Sequence, residues 1–98
     1  LVETHDEDEV RSALAAGATI LGGNNRNLKD FSVDFQNARR LRDLIPPEVL
    51  YVAESGVTGP QDVAELKEVG ADAVLIGETL MRAPNKRAML ARLREAAQ

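Results

Sequence analysis

The sequence predicts an α/β fold of (βα)4 type, with parallel strands alternating with amphipathic helices, and three observations carry that prediction. Four aliphatic runs, residues 1–4, 19–21, 49–53 and 73–76, are each too short for a helix. Their near-continuous apolarity suits parallel strands buried on both faces. Between the runs, apolar residues recur at helical spacing. A weak internal repeat marks the same division: "AAGATILGG" and "EVGADAVLIGE" share a Gly-Ala helix stop, an apolar strand and a glycine after it. Such an order implies right-handed crossovers. The sheet is then either open and doubly wound or half of an eight-stranded barrel.

Each element has its own justification. The first run leads into "DEDE", whose carboxylates suit a helix N-terminus by capping and by the helix dipole. Val10, Ala13 and Leu14 form the inward stripe of that helix, and Gly17 is expected to close it in a left-handed cap. Phe35, Ala38, Leu41 and Ile45 define a second helix that Pro46-Pro47 stops. The third starts at "TGPQD", with Pro60 at its first position and Asp62 in its first turn. It buries Val63, Leu66 and Val69 and ends at Gly70. "ETLM" after Gly77 is long enough for one helical turn. The last helix is expected from about Pro84 to the C-terminus, with Leu90, Leu93 and Ala97 inward and its arginines on a solvated face.

Composition narrows the function. Ninety-eight residues make one small domain, with 44% apolar and 29% charged residues, as in soluble globular proteins. The aromatics are Phe31, Phe35 and Tyr51, which gives base stacking little to work with, and the net charge of −4 argues further against nucleic acid. Cysteine is absent, so disulfide and thiolate chemistry are excluded, and a cytoplasmic location is expected. No apolar run approaches the roughly 18 residues of a membrane span. The chain opens on "LVETH", as though inside a strand, and residues 1–98 are expected to be one half-barrel of a longer (βα)8 domain.

In both candidate architectures, functional groups collect at the C-terminal ends of the strands. Those ends supply Glu3 and His5, then Gly22 to Arg26, then Glu54-Ser55-Gly56, then Gly77-Glu78-Thr79. "LGGNNRNL" holds more hydrogen-bonding groups than a turn requires. "ESGV" and "IGETLM" place glycines where backbone N–H groups approach a ligand, and the turn after Gly77 would face a phosphate; the plainer alternative is two tight turns. The Glu78 backbone would bind while its carboxylate turns away. Glu3, in a strand expected to be buried, is either a general base or a structural ion-pair partner. His5 is assigned to the helix start. One histidine among scattered carboxylates is no metal-ligand set.

Taken together, "LVETH", "GGNNRNL", "VAESGV" and "VLIGETLMRAP" closely resemble the C-terminal half of the indole-3-glycerol-phosphate synthase family, from the fifth strand to the eighth helix of its barrel. The resemblance implies a carbon–carbon lyase of tryptophan biosynthesis. Such an enzyme closes the indole ring of a carboxyphenylamino-deoxyribulose phosphate, losing carbon dioxide and water, without cofactor or metal. By motif, Glu3 takes acid/base work and Asn24 hydrogen-bonds at the reacting centre. Arg26 and Ser55 contact substrate. Gly56, Gly77 and Glu78 hold the phosphate through their backbone.

The departures from the pattern also carry expectations. The Gly23 position more often holds isoleucine in the family, so a looser backbone before Asn24 is expected. The family's lysines, a general acid on the third strand and a substrate-holding one after the first, have no counterpart; the lysines here are Lys29, Lys67 and Lys86. Affinity for a phosphorylated small molecule without turnover is therefore expected of the chain alone. Its protein partner would be the missing N-terminal half-barrel or a self-associated copy, because half a barrel exposes its apolar interior. A receiver-like open α/β module ranks last, since "LIGETL" lacks the lysine it needs at a late strand end.

Overall fold

Aliphatic runs and amphipathic segments alternate in space as they do in sequence. The computed structural model describes residues 1–25 and 35–98. Their order is β1 (Val2–Thr4), α1 (Glu7–Ala15), β2 (Ile20–Asn24), α2 (Phe35–Leu44), β3 (Leu50–Glu54), α3 (Pro60–Val69), β4 (Ala73–Leu75), α4 (Glu78–Arg82) and α5 (Lys86–Ala97). Among the described residues the strands form one sheet in the order β1-β2-β3-β4, and every neighbouring pair is parallel.

The helix ends follow from local chemistry. The Asp6 side chain caps α1 by accepting from the Glu9 N–H at 2.8 Å, and Glu7, Asp8 and Glu9 fill the positive first turn. Replacing this cap, Asp6→Ala, is expected to lower stability by about 1 kcal/mol in urea denaturation. Gly17 and Gly70 take the left-handed conformation, with φ of +88° and +100°, where α1 and α3 must turn back toward the sheet. The start of α3 is held from outside: Thr58 donates both its N–H and its hydroxyl to Asp62 Oδ2, each at 2.8 Å.

Two sequence expectations shift here. The last helix starts at Lys86 rather than near Pro84, with Asn85 as its N-cap accepting from the Ala88 N–H at 3.0 Å. That phase turns Met89, Leu93 and Ala96 toward the core against α3 and leaves Leu90 and Ala97 exposed. The second strand runs on through Gly22, Gly23 and Asn24 instead of ending at Leu21. Asn24 of "LGGNN" is therefore a strand residue, and Asn25 follows directly on the strand.

Side chains alternate across a sheet, so register assigns them to faces. Leu21 and Gly23 lie beside Tyr51 and Ala53, on the face that α1, α2 and α3 cover. Val10, Leu21, Leu41, Tyr51 and Leu66 form the fully buried centre of that core. The opposite face carries Ile20, Gly22 and Asn24 beside Leu50, Val52 and Glu54, with Leu75 beyond. Leu1, Ile20, Leu50 and Leu75 are exposed there. Burial on both faces, expected from the apolar runs, is thus not met. Every helix that contacts a strand among these residues returns over one side, and the other side is left uncovered.

The paired glycines serve opposite faces. A Cβ at Gly22 would lie 2.4 Å from Glu54 Oε2 on the open face. A Cβ at Gly23 would lie 2.4 Å from the Tyr51 hydroxyl and 2.6 Å from its Cε2 on the covered face. The looseness expected before Asn24 is absent, because the Tyr51 ring occupies the space that a larger residue would fill.

Candidate active site

At the C-terminal end of β1 and β2, three polar side chains meet on the open face. Asn24 Nδ2 donates to Glu3 Oε1 at 3.3 Å and lies 3.4 Å from His5 Nε2. Glu3 was expected to be buried, but its side chain is 54% exposed, because β1 is an edge strand and its inner face is uncovered. His5 does join the helix start, as expected: its N–H donates to Glu9 Oε1 at 2.6 Å, and its Nδ1 lies 3.2 Å from the same oxygen. It also reaches the site, with Nε2 3.7 Å from Glu3 Oε1.

Glu54 completes the group. It ends β3 directly beside Asn24 and is only 7% exposed, and its Oε2 has no hydrogen-bond partner among the described residues. Burial raises its pKa above the ordinary glutamate value; the Glu3 charge raises it further, and His5 partly offsets this. Sequence reasoning placed Glu54 on the rim but singled out Ser55 after it. The signal was a carboxylate closing an apolar run, for which Gly22 on the neighbouring strand leaves room.

The second half of the site is the pair of turns after β3 and β4. Ser55 and Gly56 both take positive φ, +69° and +84°. Such a conformation is uncommon for a non-glycine residue and clusters at functional sites. Asn25 fixes the turn: its N–H donates to the Glu54 carbonyl at 2.8 Å and its Nδ2 to the Ser55 carbonyl at 3.1 Å. The motif resemblance gave a role to Asn24 and none to this buried asparagine beside it. The Thr79 hydroxyl donates to the Val57 carbonyl and ties the two turns together.

Between these turns lies a cavity of about 860 Å³, lined by Ser55, Gly56, Gly77, Glu78, Thr79 and Arg82 among others. A Cβ built at Gly77 would meet nothing within 4 Å, so its backbone faces open space. The Glu78 carboxylate lies 3.0 Å from Arg82 Nη2, one turn further along α4. Of the residues predicted from sequence, Glu3 and Asn24 are brought into contact, and Ser55, Gly56, Gly77 and Glu78 share the cavity. Arg26 lies outside the described residues. Among the described residues, no cluster of histidine, cysteine, aspartate and glutamate could hold a metal ion.

A family model for indole-3-glycerol phosphate synthase matches residues 1–93. The chain belongs to that family. It is 56% identical over 97 residues to the indole-3-glycerol phosphate synthase of Ruminiclostridium cellulolyticum, covering 99% of this chain and 37% of that protein. The indole-3-glycerol phosphate synthase of Leuconostoc mesenteroides is 51% identical over 94 residues, or 96% of this chain and 36% of that protein. The chain thus spans just over a third of the length of these relatives. Among solved structures, the Amycolatopsis orientalis BexX/CysO complex aligns with a TM-score of 0.80 at 28% identity, covering 94% of this chain and 38% of that one. A structure titled native KDPGal aligns at 0.74 with 22% identity, covering 96% and 45%, and bears on fold alone. The architecture is the half-barrel-like (βα)4 arrangement, with TIM-barrel neighbours, and the indole-3-glycerol phosphate synthase resemblance read from the motifs holds.

Proposed function

We propose that this chain forms the phosphate-holding half, and part of the acid–base half, of an indole-3-glycerol phosphate synthase. Residues 1–98 would be a single half-barrel of a longer (βα)8 domain. The observation that carries the reading is the contact of Glu3 with Asn24, next to a carboxyl of raised pKa at Glu54. Ring closure with loss of carbon dioxide and water needs groups that give and take protons at one centre. A carboxyl that holds its proton to higher pH is suited to give it, and one hydrogen-bonded to a fixed amide is suited to take it. Asn24 orients Glu3 and offers hydrogen bonds at the same centre, while Arg26 and Ser55 contact the substrate.

The phosphate would lie in the cavity against the backbone N–H groups of Gly56, Gly77 and Glu78. Arg82 draws off the Glu78 carboxylate, which would otherwise repel it. No cofactor is needed. Among the described residues the lysines are Lys67 and Lys86, on α3 and α5, so neither is placed to protonate the ketone oxygen. The exposed Leu1, Ile20, Leu50 and Leu75 favour an N-terminal half-barrel as cover, with a self-associated copy as the second reading.

A ¹⁵N-amide NMR titration of the chain with indole-3-glycerol phosphate, against inorganic phosphate as control, tests the site. Shifts concentrated at Gly56, Gly77 and Glu78 are expected. A well-dispersed spectrum that does not move there would overturn the phosphate assignment.

A further inference from the structure

The reading above leaves His5 without a task, although it lies against both Glu3 and Asn24. Its Nδ1 lies 3.2 Å from Glu9 Oε1, and its Nε2 lies 3.4 Å from Asn24 Nδ2 and 3.7 Å from Glu3 Oε1. We infer that His5 is a positioning residue: held by Glu9 as the Nδ1–H tautomer, it presents Nε2 as an acceptor that fixes the Asn24 amide against Glu3. The inference rests on the proposed roles of Glu3 and Asn24.

The donor inventory leads to one arrangement. An ionised carboxylate only accepts, so the contact with Glu9 requires the proton on Nδ1. An amide nitrogen only donates, so the contact with Asn24 requires a lone pair on Nε2. Both demands are met by the same neutral tautomer. Asn24 then places its two N–H bonds on two acceptors, Glu3 Oε1 and His5 Nε2, and its amide plane is set from both sides. The imidazole itself is fixed, because its backbone N–H donates to the carboxylate oxygen that also accepts from its ring. From α2, Asn37 Nδ2 donates to the His5 carbonyl at 3.4 Å.

Protonation would dismantle the arrangement. With a proton on Nε2, His5 faces the Asn24 N–H group donor to donor and turns its charge on Glu3. Among the described residues, the titratable groups around the ring are Glu3 from β1, Glu9 from α1 and Glu54 from β3. Asp6 is occupied by the Glu9 N–H, and Arg40 of α2 is directed to Asn37 and Glu7. Asn24 in its aimed state therefore belongs to neutral His5.

The tautomer is read directly by long-range ¹H–¹⁵N correlation on the ring of the ¹⁵N-labelled chain, with no ligand present. The expected pattern is protonated Nδ1 with unprotonated Nε2 while the ring is neutral, and Asn24 side-chain N–H₂ signals that move when the ring takes up its second proton. In Glu9→Ala, the ring should lose its Nδ1–H preference and the Asn24 signals their coupling to it. Glu9→Gln should retain both, since its Oε1 still accepts. A parent ring in the Nε2–H form, or Asn24 signals that ignore the ring's titration, would overturn the inference. Failure of indole-3-glycerol phosphate to shift Gly56 and Gly77 would leave these readouts untouched, so the two readings fail separately.

Discussion

Gly23→Ala is expected to lower the stability of this chain by about 1–3 kcal/mol, the cost of overpacking a filled core. The added methyl would stand 2.4 Å from the Tyr51 hydroxyl, 2.6 Å from Cε2 and 2.9 Å from Cζ. Tyr51 has little freedom to yield. It is fully buried, its N–H donates to Asp72 Oδ2 at 2.9 Å, and its carbonyl accepts the Asp72 N–H at 2.9 Å. Burial also pushes its phenol up to about 12. The conflict involves ring carbons as well as the hydroxyl, so Tyr51→Phe should not relieve Gly23→Ala, whereas Tyr51→Leu should recover part of the loss. Urea denaturation of the three single and two double variants against the parent measures that coupling. Additive losses for Gly23→Ala with Tyr51→Leu would show that the ring is not what excludes the side chain.

The same pair shows what the sequence made legible. Strand and helix order could be read because short runs of continuous apolarity and stripes of period 3.6 are local signals, and Gly17, Pro60 and Gly70 punctuate them by backbone preference alone. The course of "LGGNN" could not be read this way, since two glycines and two asparagines look like a loop until their partners across the sheet are known. Gly22 leaves room for Glu54 and Gly23 for Tyr51, while Asn24 meets Glu3 and Asn25 holds Ser55. Each of those partners lies more than 20 residues away in sequence, and only the register brings them together. The motif resemblance marked Glu3, Asn24 and the three phosphate positions. It passed over Glu54, whose importance shows only in its burial and its lack of a partner. The last helix was misphased for a simpler reason: Leu90 and Ala97 fit an apolar stripe as well as Met89 and Ala96 do, and contact with α3 decides between them.

Glu54→Gln is expected to stabilise the chain at neutral pH while removing the carboxyl that the proposed chemistry needs. Folding places this group at 7% exposure, beside the charge of Glu3, with Oε2 unpartnered among the described residues. Each of these disfavours the ionised form, so its pKa in the folded chain lies above the unfolded value. The sign follows from linkage. The folded state holds the proton more tightly, so its contribution to stability is complete below the ordinary glutamate pKa. It is lost as pH rises through the raised value. Glutamine stays neutral throughout and never incurs that loss. Thermal melts of parent and Glu54→Gln should therefore converge in acid and separate toward pH 7, with the variant melting higher. The opposite order at pH 7 would mean that the Glu54 charge is satisfied in the fold, and the group would then be poorly suited to donate a proton. The expected order is that of a site whose chemistry costs stability: Gly22 is kept bare so that a carboxylate can lie where the fold alone would not place it.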